Sequence, residues 1–483
     1  MRTPTTCRPV LAAAAAWALA GCASIDPGPA FQASADIAHE RTGAQARLLQ
    51  SDDARAALAR EIDAMLAAPL GPDQAVQIAV LNHPGLQATY WEAGIAQAEL
   101  AQAARLRNPG FGFSRMQGGG SRETERSVSF DLAGLLTMPL RQRMAARRLD
   151  ATTLQVAAAI ERHANATRRA WIEAVAARQS LDYARQVAAA ADASSDLMTR
   201  MAQVGNASGL DQAREAAFHA EAGAGVLRAG REHDAARERL TRRLGLWGRQ
   251  AGYTLPERLP DLPDQPAELP QVERLAIERH LDLRAARAGA AGLAADLGLT
   301  RATRMVNVLD LGYASKSETG EVRSEGWEVG LELPLFDFGG ARVARAEVLY
   351  MQALGRVAET AVNVRSEARA AYLGYRAGYD VARHYRDHVI PLRKRISDET
   401  LLRYNGMLAS PFELLADARE QAGAVHATIG ALKDFWLAQA DLEAALGGRV
   451  APGAAPGLSA ASAEPTEPAA PASHQHHDMK AHP

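Results

Sequence analysis

The sequence predicts a mainly α-helical protein with a smaller β part, because one unusual unit occurs twice along the chain. Each copy has a short helix, two amphipathic strands and two very long alanine-rich helices, in that order. His83 and His280 lie at the start of the short helix in the two copies, and Gly205 and Gly406 end the first long helical run. The spacing of about 200 residues is far longer than the roughly 20–50 residues of solenoid repeats. We therefore expect one duplicated unit.

The composition favours long, closely packed helices over large cores. Hydrophobic residues make up 47% of the chain but aromatic residues only 5%, and alanine supplies much of the apolar content. Alanine is the strongest helix former and a small packing residue. The formal net charge is −2, and the sequence has no stripe of lysine and arginine with interleaved aromatic residues. Nucleic acid is therefore not expected as a partner.

The N-terminus resembles a bacterial lipoprotein signal. Arg2 and Arg8 give a basic start, and residues 10–20 form an apolar stretch too short to span a bilayer. Residues 19–22 are Leu-Ala-Gly-Cys, a pattern in which the cysteine is lipidated and becomes the mature N-terminus. We expect Cys22 to carry lipid, and Ala23 to favour the outer membrane. The alternative is an ordinary signal peptide with an incidental cysteine. The mature chain would have no second thiol, so no intrachain disulfide is expected.

Shifts in composition divide the chain into successive segments. These are a lipoprotein signal peptide (1–21), a lipidated arm (22–70), repeat 1 (71–250), a proline-rich connector (251–270), repeat 2 (271–448) and a disordered linker with a histidine-rich tail (449–483). Within the arm, only residues 51–66 have a helical pattern.

Strict alternation of apolar and polar residues predicts two strand pairs. In residues 327–333, Glu328 and Glu332 fall on one face, and Trp327 and Val329 fall on the other. This period of two is typical of a half-buried strand or of a membrane β-barrel. We expect strands at 127–132 and 327–333, shorter partners at 111–113 and 306–313, hydrophilic loops at 117–121 and 315–325, and strand pairs that end at 138–140 and 333–335.

Four strands are too few to close a barrel, and an open sheet edge in lipid leaves backbone groups unsatisfied. The smallest bacterial barrels have about eight strands. A membrane sheet of this size therefore requires several chains to share one barrel, and we expect an oligomer.

The long helices predict a structure that extends far from the sheet. Residues 140–204 form a helical run of roughly 95–100 Å at about 1.5 Å per residue, and residues 341–404 form a near copy. Pro391 should kink the second run or mark a local break, because proline cannot donate the helical hydrogen bond.

Four motifs occur in order along the two copies. They are Leu-Pro-Leu-Phe-Asp-Phe-Gly-Gly at 333–340, Arg-Tyr-Asn-Gly at 403–406, Phe-Glu-Leu-Leu-Ala-Asp-Ala-Arg at 412–419 and Ala-Leu-Gly-Gly at 445–448. Together with the duplication, they resemble the TolC-type outer-membrane factor family, specifically its lipoprotein branch. The resemblance covers residues 72–448. Repeat 1 departs from the pattern, because residues 137–142 lack the usual Asp-Gly turn.

The resemblance implies a homotrimer in the outer membrane of a Gram-negative bacterium, with a shared twelve-strand β-barrel and a periplasmic α-helical barrel. It implies a non-enzymatic exit duct that works with a periplasmic adaptor (membrane fusion) protein and an inner-membrane pump in a tripartite efflux system. Heavy-metal ions such as copper are one candidate substrate class. The alternative function is a lipid-anchored periplasmic coiled-coil adaptor or structural protein without a pore, which would not need lipid-facing strands.

The turns between the long helices predict the periplasmic tip and gate. Gly205 lies in the first turn, and Tyr404 and Gly406 lie in the second. The family often has two acidic residues three positions apart after the second turn. Here the positions are Glu413 and Ala416, so a double acidic ring is not expected. Glu413 either holds cations at the gate or favours the dipole of a helix in its first turn, and Tyr404 either gates or packs.

No catalytic motif is present in the sequence, and no cofactor is expected. His384 and His388 lie four residues apart and suit a metal on one helix face, but neighbouring arginines favour a solvated surface. The C-terminal tail has imidazole, thioether and carboxylate groups that suit weak binding of copper, nickel or zinc. The alternative is a polar tail without a ligand. The histidines of this tail are His474, His476, His477 and His482.

Overall fold

The computed structural model of the chain describes residues 26–305, 308–332 and 334–449. An N-terminal arm contains α1 (Gly28–Thr42) and α2 (Asp52–Met65). Only α2 was expected from the sequence. The arm is held to repeat 1 by aromatic packing, since the rings of Phe31 in α1 and Tyr90 lie 4.9 Å apart between centroids.

The two repeats contain the same elements in the same order, except that the first long helix of repeat 2 is divided in two, so the predicted duplication is confirmed. Repeat 1 consists of α3 (Pro72–Asn82), α4 (Pro84–Ala103), β1 (Gly110–Gly118), β2 (Ser121–Asp131), α5 (Leu132–Gln203) and α6 (Gly209–Leu244). Repeat 2 consists of α7 (Val272–Arg279), α8 (Leu281–Thr303), β3 (Leu309–Glu318), β4 (Ser324–Leu331), α9 (Gly340–His384), α10 (Ile390–Asn405) and α11 (Pro411–Leu446).

The helix ends follow from local sequence. Ser208 and Ser410 each accept a hydrogen bond from a backbone N–H in the first turn of the helix that follows, as N-cap residues do. Gly245 and Gly447 end α6 and α11 in the left-handed conformation, with φ of 68° and 67°. Glycine adopts this conformation without the steric cost of a Cβ.

The start of the first long helix corrects the sequence prediction. The strand pair of repeat 1 does not end at 138–140, because β2 ends at Asp131 and α5 starts at Leu132. The Asp131 carboxylate accepts a hydrogen bond from the Gly134 N–H at 2.6 Å, so it caps α5 directly after the strand. Pro139 therefore lies inside the helix. With 72 residues, α5 is about 108 Å long at 1.5 Å per residue.

The predicted break at Pro391 is confirmed. A π-helical turn, Tyr385–Val389, separates α9 from α10 and immediately precedes the proline. Proline cannot donate to the preceding turn, and the wider π turn accommodates the missing hydrogen bond without ending the helical run.

The four strands form one antiparallel sheet in the order β1-β2-β3-β4. The strands are longer than expected on the loop side, because β1 continues to Gly118 and β3 continues to Glu318. The hydrophilic loops are correspondingly shorter than 117–121 and 315–325.

The connector between the repeats is extended, as expected, and tyrosines of α9 hold it in place. The Ala267 N–H donates to the Tyr375 hydroxyl at 2.9 Å, and the Tyr379 hydroxyl donates to the Asp264 carbonyl at 2.6 Å. The indole of Trp436 donates to the Pro260 carbonyl at 3.0 Å. The hydrophobic core therefore surrounds the long helices near their middle, where the arm, the short helices and the connector pack.

Among the described residues, no helix combines the length and the apolar character needed to cross a bilayer.

Candidate functional site

In the half of the sheet nearer the helices, one face is apolar and exposed; towards the loops the same face carries Arg126, Ser315 and Glu325. Phe111, Val128, Tyr313 and Trp327 lie directly opposite one another across the four strands. Phe111 is 72% exposed and Trp327 is 75% exposed. Other apolar residues of this face are Phe113, Phe130, Leu311, Val329 and Leu331. A contiguous exposed apolar surface that includes several aromatic residues is typical of a membrane or protein contact.

The other face of the sheet is built from small and acidic residues. Its central row is Gly112, Ser127, Ala314 and Gly326. Glu328 also lies on this face, opposite Gly312 in the register. The predicted separation of Glu328 from Trp327 and Val329 is therefore confirmed. Nearer the helices, two carboxylates face each other, because Asp131 pairs with Asp310.

Both outer strands of the sheet have one unpaired edge. In the part of the chain that the structure describes, β1 pairs only with β2, and β4 pairs only with β3. The free edges carry backbone donors and acceptors that need partners if the sheet lies in an apolar medium.

The two helix turns have the same backbone hydrogen bonds but different residues. In the first turn the Asn206 N–H donates to the Met201 carbonyl at 2.8 Å, and in the second the Leu408 N–H donates to the Arg403 carbonyl at 2.8 Å. Gly205 has a φ of 82°, and its counterpart is Met407, with a φ of 59°. Gly406 precedes this position, with a φ of −83°.

Glu413 is engaged in helix capping. Its side chain accepts a hydrogen bond from the Ser410 N–H at 3.1 Å, and its N–H donates to the Ser410 hydroxyl at 3.2 Å. This reciprocal pair satisfies two donors at the start of α11. Tyr404 is half-buried, and its carbonyl accepts from the Met407 N–H at 3.0 Å. The gating role of either residue stays a prediction.

A buried ionic cluster joins the two long hairpins near these turns. Glu215 of α6 is 4% exposed; it accepts from the Ser194 hydroxyl at 2.6 Å and pairs with Arg419 of α11. The Arg419 guanidinium lies 4.3 Å from the ring centroid of Phe218. Asp417, two residues before Arg419 in the chain, is also buried, and its Oδ2 has no hydrogen-bond partner among the described residues. Sequence reasoning missed this cluster, because nothing in either segment signals a pairing across about 200 residues.

The long hairpins end against the short helices at two junctions. In repeat 1, the side-chain amide of Asn82 donates to the carbonyls of Leu244 and Gly245 at 3.0 and 2.8 Å. In repeat 2 the corresponding position is Arg279, and the Gly447 carbonyl instead accepts from the guanidinium of Arg41, which belongs to the arm.

Each junction buries titratable groups of α5. Next to the first junction, the His163 imidazole lies 4.3 Å from that of His83 and bonds to the Arg243 carbonyl at 2.9 Å. Burial lowers the pKa of His163 to about 4. Next to the second junction, burial raises the pKa of Glu161 to about 7, although the nearby charge of Arg41 acts in the opposite direction.

The described residues contain no group of three or more histidine, cysteine, aspartate or glutamate residues that could hold a metal ion. The ring centroids of His384, at the end of α9, and His388, in the π turn, lie 5.1 Å apart on an exposed surface, with no third ligand from that set among the described residues. Cys22 and the four tail histidines lie outside the described residues.

Comparisons with known proteins identify the fold. No protein-family profile and no curated protein matches the sequence. The outer-membrane channel CmeC of Campylobacter jejuni is similar in structure, with a TM-score of 0.68 and 15% identity over 78% of this chain and 85% of that one. So is the outer-membrane protein VceC of Vibrio cholerae, with a TM-score of 0.65 and 15% identity over 78% and 96%. The chain has the fold of these outer-membrane proteins.

The same fold occurs in the open state of the MtrE outer-membrane channel of Neisseria gonorrhoeae, with a TM-score of 0.63 and 17% identity over 78% of this chain and 88% of that one. The fold expected from the TolC-type resemblance, long helices with a small antiparallel sheet, is therefore confirmed.

Proposed function

We propose that the chain is a subunit of an outer-membrane exit duct. The observation that carries the proposal is the sheet, which has one exposed aromatic face, one small and acidic face, and two unpaired edges. In a membrane barrel the apolar face contacts lipid and the polar face lines water. The same arrangement in a soluble monomer would leave a large apolar surface in water.

Closure of the sheet requires other copies of the chain. The unpaired edges of β1 and β4 suit each other, because pairing β4 of one copy with β1 of the next continues the same antiparallel order. Three copies would give a barrel of about twelve strands, within the range that bacterial barrels occupy. The homotrimer is the assembly that the TolC-type resemblance implies, and the likeness to outer-membrane channels supports it.

The long helices carry the duct away from the membrane. An α5 helix of about 108 Å reaches far into the periplasm. Helices α6, α8 and α11 pack along it, and α9 and α10 pack on these helices to complete the wall of one subunit. The chain conducts but does not catalyse, so the energy for export comes from an inner-membrane pump and a periplasmic adaptor.

The helix turns are the proposed docking surface for the adaptor. Met407 and Leu408 are 94% and 81% exposed, and Met407 has a backbone conformation that costs a non-glycine residue on the order of 1 kcal/mol. Exposed apolar side chains held in a strained turn are typical of a contact surface. Glu413→Ala should change channel conductance or cation block more than Glu238→Ala on the exposed side of α6. Equal effects would leave Glu413 with capping alone.

The lipid anchor and the metal substrate belong to the proposal, but they concern residues outside the described ranges. Cys22 carries the lipid, and Cys22→Ser should block palmitate incorporation. The tail histidines from His474 to His482 bind copper, zinc or nickel weakly through neutral imidazoles. Truncation after Gly448 should then reduce tolerance to copper or zinc but not to an organic toxicant. Unchanged tolerance would remove the argument for a metal substrate.

The alternative, a lipid-anchored periplasmic adaptor or structural coiled-coil protein, accounts for the long helices but not for the sheet. In a periplasmic protein without a membrane sheet, the exposed side chains of Phe111 and Trp327 would lie in water on one continuous apolar surface.

Planar-bilayer recording of the purified full chain tests the function. We expect discrete conductance steps and a β-signal in circular dichroism of the detergent-solubilised oligomer. A water-soluble delipidated monomer that produces no conductance would contradict the duct and favour the adaptor.

A further inference from the structure

An arginine-lined cavity of about 470 Å³ lies between α5 and α6, next to the first junction. Its volume is in the range of small-molecule sites. One glutamate, Glu173, is the single carboxylate of the lining. The basic residues of the lining are Arg169, Arg239, Arg242, Arg243 and His83.

Two of the four arginines have no counter-charge within the part of the chain that the structure describes. Arg169 pairs with Asp441, and Arg239 pairs with Glu232 at 2.9 Å and with Glu173 at 3.4 Å. The side chains of Arg242 and Arg243 are exposed and make no hydrogen bond or ion pair among the described residues. The cavity therefore carries uncompensated positive charge.

Two buried polar atoms of the lining, Arg239 Nε and His83 Nδ1, make no hydrogen bond among the described residues. The Glu173 carboxylate lies 3.4 Å from Arg239 Nε, so this atom faces a charge partner within the chain. His280, the copy of His83 in repeat 2, has the same unbonded Nδ1 away from this cavity. The unpaired charge of the lining therefore belongs to Arg242 and Arg243.

The helix dipole explains part of this arrangement but not all of it. Arg242 and Arg243 lie in the last turn of α6, where positive charge is favourable. The dipole does not explain why arginines of α5 and α6 surround one concave space. A bound anion explains this arrangement, because it would neutralise the unpaired charges of Arg242 and Arg243.

We propose that this cavity binds a small oxyanion, namely a phosphate- or carboxylate-bearing solute. Guanidinium groups present planar pairs of N–H donors that match the oxygen spacing of these groups. A lipid headgroup of the membrane around the sheet is excluded as the source. Arg169 lies about 55 Å along α5 from the end of β2 at 1.5 Å per residue, so the ligand is a solute.

Binding at this cavity does not depend on conduction. A role as a station for anionic solutes in the wall of the duct rests on the proposed function. The experiment therefore measures the two separately, with inorganic pyrophosphate as the probe in both arms.

The binding arm uses calorimetric titration of the full-length oligomer in detergent at constant ionic strength. We expect saturable binding that weakens at least tenfold in the double variant Arg242→Gln/Arg243→Gln. The matched control is Arg214→Gln/Arg231→Gln, which removes the same charge from the same helix outside the cavity and should bind as the wild type does. Arg242→Lys/Arg243→Lys should recover part of the affinity, because the charge remains but the planar fork is lost.

Equal affinity in the wild type and the cavity variant would overturn the site, and so would equal loss in the control. If the glutamine variant does not assemble, the lysine variant and competition by added chloride decide the same question. In the bilayer arm, pyrophosphate should reduce the conductance of the wild type but not of the cavity variant. Conduction without pyrophosphate binding would overturn the cavity and leave the duct intact.

Discussion

The two repeats differ most where a long hairpin ends against the short helices. In repeat 1 the hydrogen bonds at the junction come from the repeat itself, because Asn82 donates two of them to the end of α6. In repeat 2 the corresponding residue is Arg279, and Arg41 of the N-terminal arm reaches the Gly447 carbonyl at the end of α11. The second copy therefore depends on a segment outside the duplicated unit, and the arm completes the fold.

The same difference changes the electrostatics of the two junctions. At the first, a buried neutral imidazole, that of His163, has its pKa lowered to about 4. At the second, the carboxyl group of Glu161 has its pKa raised to about 7 by burial, next to the Arg41 guanidinium. Acid therefore destabilises the first junction, because it would place a positive charge on the buried His163. At the second junction, protonation of Glu161 removes a buried charge.

The largest effect should come from Arg41→Ala. This change removes a charge-assisted hydrogen bond to the end of α11 and a positive charge next to Glu161. We expect the free energy of unfolding to fall by about 3 kcal/mol. Asn82→Ala, the matched change at the first junction, should cost about 1–2 kcal/mol. Hydrogen exchange near Gly447 should rise only in the Arg41 variant. Equal costs would contradict the special role of the arm.

The pH dependence of stability should separate the junctions. Because the pKa of folded His163 is depressed below that of an ordinary imidazole, near 6.5, its contribution is complete above about pH 6.5. This contribution is lost as pH falls towards about 4. The loss is on the order of 2–3 kcal/mol.

His163→Gln should therefore flatten the fall in melting temperature between pH 7 and pH 4.5, and the exposed His219→Gln should not. A residual slope is expected, because burial also lowers the pKa of His83 and His280. An unchanged slope in the His163 variant would place the acid sensitivity elsewhere.

The helix turns should give the smallest change in stability. Met407 and Gly205 occupy equivalent positions, so opposite substitutions can be compared directly. Met407→Gly should relieve the positive φ and raise the free energy of unfolding by about 0.5 kcal/mol, whereas Gly205→Ala should lower it by about 1 kcal/mol. Thermal unfolding of the two variants measures both values. If Met407 contacts an adaptor, Met407→Gly should weaken adaptor binding while it stabilises the chain. Stronger adaptor binding in this variant would contradict the docking surface.

Local patterns predicted the elements, and local capping residues decided where the helices start and end. The helix starts at His83 and its copy His280 follow from X-Pro and polar signals within a few residues, and Pro391 alone predicted the local break, which the structure forms as a π turn. The end of the strand-pair region in repeat 1, expected at 138–140, was wrong by several residues, because the helix already starts at Leu132. A capping aspartate, Asp131, starts the helix in the middle of an apolar run that also suits a strand.

The contacts of the candidate site were harder to predict from the sequence than the elements were. The alternation around Trp327 identified both faces of the sheet, because strand periodicity is local. The bond from Arg41 to Gly447 joins residues 406 positions apart, and the Glu215–Arg419 pair joins residues 204 apart. No local propensity encodes such pairs, so only the packed structure reveals them.

The central claim is that β1 of one copy pairs with β4 of the next to close a barrel. Cysteine pairs scanned around Ser114 in β1 and Glu328 in β4 test it by oxidative cross-linking in cells. The control pair at Ser127 and Ala314, which lie opposite each other within one sheet, should cross-link without a change in mass. We expect the edge pairs to give a species that stops at three times the monomer mass. Monomers alone, or a ladder that continues beyond the trimer, would contradict the shared barrel.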